Sequence, residues 1–142
     1  MNLQMVFNAL QDALRETRSS YHLTLVELID YLQIKVTQDK GNLPVMFSDD
    51  YTQFPTSVGS YRGHFSDLAI AYNGPIGSDV ERLLDMLLNV LDRQLIGYKG
   101  GEFIMGGDTP LWRANYGEAP NDAIMGVSFD GYKIILAIKS ID

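Results

Sequence analysis

The sequence predicts an α+β domain: three helices with a largely antiparallel sheet that ends in a C-terminal β-hairpin. Apolar residues recur at helical spacing in three separate segments, and short β-branched and aromatic runs lie between clusters of turn residues. No regular alternation of strand and helix organises these pieces, which argues against a parallel α/β design. A chain of 142 residues can bury one sizeable core, so a single domain over 1–142 is expected.

The first helix is predicted where Leu3, Val6, Phe7, Leu10 and Leu14 would share one face. A second follows "TLVE", Thr24 to Glu27, whose spacing suits a capping box. Leu25, Leu28, Ile29, Leu32 and Val36 continue its stripe, and Gly41 is the expected left-handed C-terminal cap. "LPVMFS" reads as a short strand, "DDYTQFPTS" as too polar to extend it, and "DLAIAY" as a strand closed by "NGPIG". "SDVE", Ser78 to Glu81, is a second capping box opening the strongest helix. There Val80, Leu84, Leu87 and Leu91 form a stripe widened by Leu83, Met86, Leu88 and Val90. A face this broad is buried either against the chain's own sheet or in a homodimer or higher oligomer. After Gln94 the pattern changes to short runs broken by glycine, proline and asparagine. The last of them, "AIMGVSFDGYKIILAI", reads as a hairpin with a two-residue turn at Asp130 and Gly131.

A formal charge of −7 disfavours non-specific nucleic acid binding, which needs clustered cations to displace condensed counterions. The carboxylates are scattered among Lys and Arg rather than arrayed as in a DNA mimic, so solubility is the simpler meaning of the charge. There is no cysteine, which removes disulfides, thiolate nucleophiles and Cys-ligated zinc and suits a reducing compartment. The opening residues contain neither a basic n-region with a long apolar core nor a bilayer-length apolar run, so a soluble intracellular protein without a membrane partner is expected.

The order of motifs "LTLVELIDYL", "LPVMF", "PTSVGSYRGHFSDLAI" and "LIGYKGGEFIMGGDTPLWRANYGEA" resembles a family of small phage-encoded hypothetical proteins, over roughly residues 23–138. "SYRG", "GYKGGEF" and "TPLWRANYGEA" are its most specific pieces. The resemblance implies a viral accessory protein acting in the host cytoplasm, without an established reaction or catalytic residues to transfer. His64 stands where that family usually has another aromatic.

Motifs of known chemistry are absent. His22 and His64 belong to no ligand array, and "YKGGEF" places its lysine before the glycines, unlike a phosphate-binding loop. No metal, cofactor or catalytic residue is therefore expected. Asp67, Glu102, Asp108 and Glu118 could supply acid/base chemistry in a small hydrolase if their loops met, or could simply cap turns and pair with Arg62, Lys99 or Arg113.

Binding makes better use of these residues. Arg62 and Lys99 offer cations beside glycines, Tyr61, Tyr98, Trp112 and Tyr116 offer aromatic faces, and Asn115 could read a base edge. Together they suit a small anionic, nucleotide-like ligand, and sequestering such a ligand could counteract a host defence system. The plain alternative for Tyr61, Trp112 and Tyr116 is that of core residues with hydrogen-bonded polar tips, and for Arg62 that of a turn anchor on Asp67. A rival function is an acidic inhibitor of a host protein, using the broad helix from Val80 to Leu91.

Overall fold

The computed structural model describes residues 22–72, 78–97, 100–115 and 120–141. The fold is α+β. Two helices occur among the described residues, not three, because the expected first helix lies outside them. The turn cluster 73–77 also lies outside.

Helix α1 runs Leu25–Thr37 and opens as its sequence demands: Thr24 N donates to Glu27 Oε1 at 3.0 Å, and the Thr24 hydroxyl accepts from Glu27 N at 3.4 Å. Its end differs from expectation. Asp39, with φ 63°, adopts the left-handed conformation predicted for Gly41. The amides of Asp39 and Lys40 then return to the carbonyls of Val36 and Lys35, closing a Schellman turn. Gly41 instead allows close approach: a Cβ there would lie 2.9 Å from Glu81 Cγ.

Helix α2 runs Val80–Val90, and its N-cap is Asp79 rather than the expected Ser78. The reason is a tertiary contact. The Ser78 carbonyl accepts from Val45 N, which holds Ser78 in extended pairing, so the helix starts one residue later. Asp79 caps it by accepting from Arg82 N at 2.8 Å, and its charge suits the positive end of the helix dipole.

Strands β1 (Val45–Phe47), β2 (Pro55–Tyr61), β3 (His64–Tyr72), β6 (Leu111–Asn115), β7 (Asp122–Phe129) and β8 (Ile134–Ser140) form one sheet in the order β1-β8-β7-β6-β3-β2. β4 (Gln94–Ile96) and β5 (Glu102–Ile104) form a separate hairpin. The large sheet is mixed: β1 with β8 and β3 with β6 are parallel, and the other three pairings are antiparallel. Its antiparallel character is thus weaker than predicted.

Two strand readings are corrected. The polar segment does not extend β1, but its last three residues, Pro55, Thr56 and Ser57, open β2, an edge strand that the sequence pattern does not announce and whose outer positions face solvent and tolerate Thr and Ser. The C-terminal hairpin forms, but Phe129 pairs with Ile134 across a four-residue loop. Asp130 selects that loop by accepting from the amides of both Tyr132 and Lys133 at 2.9 Å.

Both helices pack on one face of the sheet. Leu25, Leu28, Leu32, Leu83 and Leu87 meet Val45, Phe47, Leu68, Ile70, Leu111, Ile124 and Leu136 in a core of fully buried side chains. Most of the apolar stripe of α2 is spent here, while Leu88 remains exposed. Residues of alternate strand position form a second, smaller cluster on the opposite face: Tyr61, Ala69, Trp112, Ala114 and Ala123. No helix among the described residues is long and apolar enough to cross a membrane.

Candidate functional site

The "SYRG" stretch is a hairpin turn. Tyr61 pairs with His64 across Arg62 and Gly63, and the register then shifts so that Ser60 faces Leu68. The shift makes Phe65, Ser66 and Asp67 an irregular bulge, closed by the Ser60 hydroxyl donating to Phe65 O at 2.7 Å. Gly63 is required at this turn: a Cβ would lie 2.7 Å from Cε2 of the Tyr61 ring folded over it.

Strand β6 lies parallel to β3 and carries Trp112 beside Ala69. This register brings Tyr61 and Trp112 face to face, with ring centres 4.6 Å apart and planes 5° apart. His22 tilts onto Trp112 at 4.4 Å and His64 at 5.4 Å. The indole N–H donates to the fully buried Asp67 at 2.9 Å. The Tyr61 hydroxyl accepts from Asn121 N at 3.0 Å. Burial raises the Tyr61 phenol pKa above its ordinary value; the Asn121 N–H opposes this, while the charges of Asp122 and Asp67 add to it.

The "GYKGGEF" hairpin docks beside this site. Phe103 of β5 packs on Phe65 at 6.2 Å between ring centres, and a Cβ on Gly97 would lie 3.1 Å from that of Phe65. Gly100 and Gly101, with φ of 88° and 82°, close the hairpin through Gly100 N to Gly97 O and Gly97 N to Gly101 O.

Of the seven residues singled out in the sequence, Tyr61 and Trp112 are thus brought into contact but are buried, and Arg62 is exposed at the adjoining turn. Asn115 ends β6 opposite Tyr72. Tyr98, Lys99 and Tyr116 lie outside the described residues. Of the four carboxylates, Asp67 accepts from the indole, Glu102 accepts from Gln94 Nε2 at 2.6 Å, Asp108 lies against Gly106, and Glu118 lies outside the described residues. Among the described residues no group of three His, Asp or Glu side chains is placed to hold a metal ion.

Sequence reasoning missed a second polar centre. Arg113 follows Trp112, so its side chain leaves β6 on the opposite face, over Phe47 and Tyr72. Its guanidinium pairs with Asp49 in the β1–β2 connection and with Asp122 on β7, Nη2 lying 2.6 Å from Asp122 Oδ2. Burial by itself would lower the guanidinium pKa, but the hydrogen bonds and charges of the two aspartates outweigh it and hold the pKa above its ordinary value. The β6–β7 register sets Arg113 opposite Asp122 and the β1–β2 connection adds Asp49; no local motif announces them.

Comparison of the chain with family models, with curated proteins and with solved structures finds no match to any of them.

Proposed function

We propose that this is a non-enzymatic binding protein for a small anionic, nucleotide-like ligand, serving a phage in the host cytoplasm by withholding that ligand from a defence system. The observation that supports it is the meeting of the three distinctive segments around β3: Trp112 on Tyr61, and Phe103 on Phe65. Arg62 is exposed on a turn whose foundation is the buried Tyr61 ring, so a planar guanidinium is presented from a rigid base. Tyr61 and Trp112 spend their faces on each other and on the two histidines. Their part in the reading is to buttress the turn, and Arg62 is the anion contact.

Isothermal titration calorimetry against linear and cyclic nucleotides tests this directly. At least one should give saturable heat, with affinity falling at least about tenfold, or about 1.4 kcal/mol, in Arg62→Ala. The absence of heat from every nucleotide would remove the reading.

One observation favours the protein-inhibitor alternative. Ile96 and Ile104, 74% and 61% exposed, project from the same face of the β4–β5 hairpin. A stoichiometric host partner that binds Arg62→Ala normally and is lost from Ile96→Asp would favour it.

A further inference from the structure

A groove of about 360 Å³ opens at the head of α2, lined by Asn42, Pro44, Ser78, Asp79 and Arg82. Two chain segments form it, the one leaving α1 and the one entering α2. Backbone bonds fix them together: Val45 N to Ser78 O and Val80 N to Leu43 O at 3.0 Å, and Glu81 N to Gly41 O at 2.9 Å. These bonds occupy the first amides of the helix, so recognition in the groove falls to side chains.

Those side chains are incompletely used. The misplaced cap leaves Ser78 only 3% exposed, with a buried hydroxyl that has no hydrogen-bond partner. An unmade bond of this kind is costly, and a ligand group that reached the hydroxyl from the groove would satisfy it. Asp79 uses Oδ1 on the Arg82 amide. Among the described residues, no ion pair joins the Arg82 guanidinium to Asp79 or to any other carboxylate. One cation and one carboxylate therefore line the same small groove without neutralising each other, beside an amide and an unsatisfied hydroxyl.

We propose that this groove binds a small zwitterion of the α-amino acid class. The ligand carboxylate pairs with Arg82, its ammonium group with the second oxygen of Asp79, and Ser78 and Asn42 supply the remaining polar contacts. A phosphate dianion is disfavoured by Asp79, and a simple cation by Arg82. The site is separate from the Arg62 turn and does not depend on the nucleotide reading.

The test is an amide-resolved NMR titration of the protein with each proteinogenic amino acid, with acetate and methylammonium as single-charge comparisons. At least one amino acid should give saturable shifts at Val45, Val80 and Arg82, with both comparisons at least tenfold weaker. Arg82→Gln should weaken binding at least tenfold and Ser78→Ala severalfold. Arg82 is exposed, so its variant should keep the wild-type spectrum away from the groove, and Arg62→Ala should bind normally. No saturable shift with any amino acid, acetate binding as tightly as an amino acid, or undiminished binding by Arg82→Gln would each overturn the proposal.

Discussion

Trp112 touches side chains from three other places in the sequence: His22, the hairpin residues Tyr61 and His64, and Asp67. Trp112→Phe would keep most of the ring contact but remove the donor from a buried carboxylate. It should destabilise the protein by about 1–3 kcal/mol, read by urea unfolding with circular dichroism. Arg113→Met should cost more, about 3 kcal/mol, because Asp122 and Asp49 lose their common cation while Asp122 stays largely buried. These roles were unequally legible. Tyr61 and Trp112 are conspicuous as residue types, but whether an aromatic stacks on a ligand or on its neighbour depends on β6 lying beside β3, which no local pattern encodes. Ser78 has the capping-box spacing to Glu81, whereas Asp79 caps the helix with Arg82 at the third position and no such box; the Ser78–Val45 backbone bond, between segments far apart in sequence, decides.

At the scale of elements, the two hairpins fail in different ways when perturbed. In the β2–β3 turn, Gly63→Ala would force a methyl into the buried Tyr61 ring, costing about 1–3 kcal/mol. Gly59→Ala, with nothing within 4 Å of the added carbon, should be neutral or slightly stabilising. In the β7–β8 loop, Asp130 is held at a pKa of about 2, chiefly by Lys133 Nζ at 2.6 Å and also by the Tyr132 and Lys133 amides. Its folded pKa lies below the unfolded value, so its stabilising effect is complete above the ordinary carboxylate range and is lost as pH falls through about 2. NMR should show the Tyr132 and Lys133 amides shifting between pH 4 and 2, and Asp130→Asn should abolish that titration. The sequence signalled a turn at Asp130 correctly. It mistook the length because an Asp-Gly pair also suits a two-residue turn, whereas here the carboxylate captures two later amides.

For the whole molecule, the helix-side core and the Trp112 cluster occupy opposite faces of one sheet and share its backbone ladder. Tryptophan fluorescence and far-ultraviolet circular dichroism should therefore report one coincident urea transition. An earlier fluorescence change would mean that the smaller cluster opens independently. The α+β class was legible from the two kinds of periodicity, yet the parallel pairings were not. Between β3 and its parallel neighbour β6 the chain inserts both α2 and the β4–β5 hairpin, which disguises the spacing of a strand-helix-strand unit.

The parallel union of β1 with β8 joins Val45–Phe47 to Ile134–Leu136, and this has a consequence for biosynthesis. β1 leaves the ribosome long before its partner. At roughly 5–20 residues per second it waits on the order of seconds as an unpaired apolar segment. Until Leu136 emerges, Phe47 has only the earlier helices and strands to pack on and lacks its neighbour in the sheet.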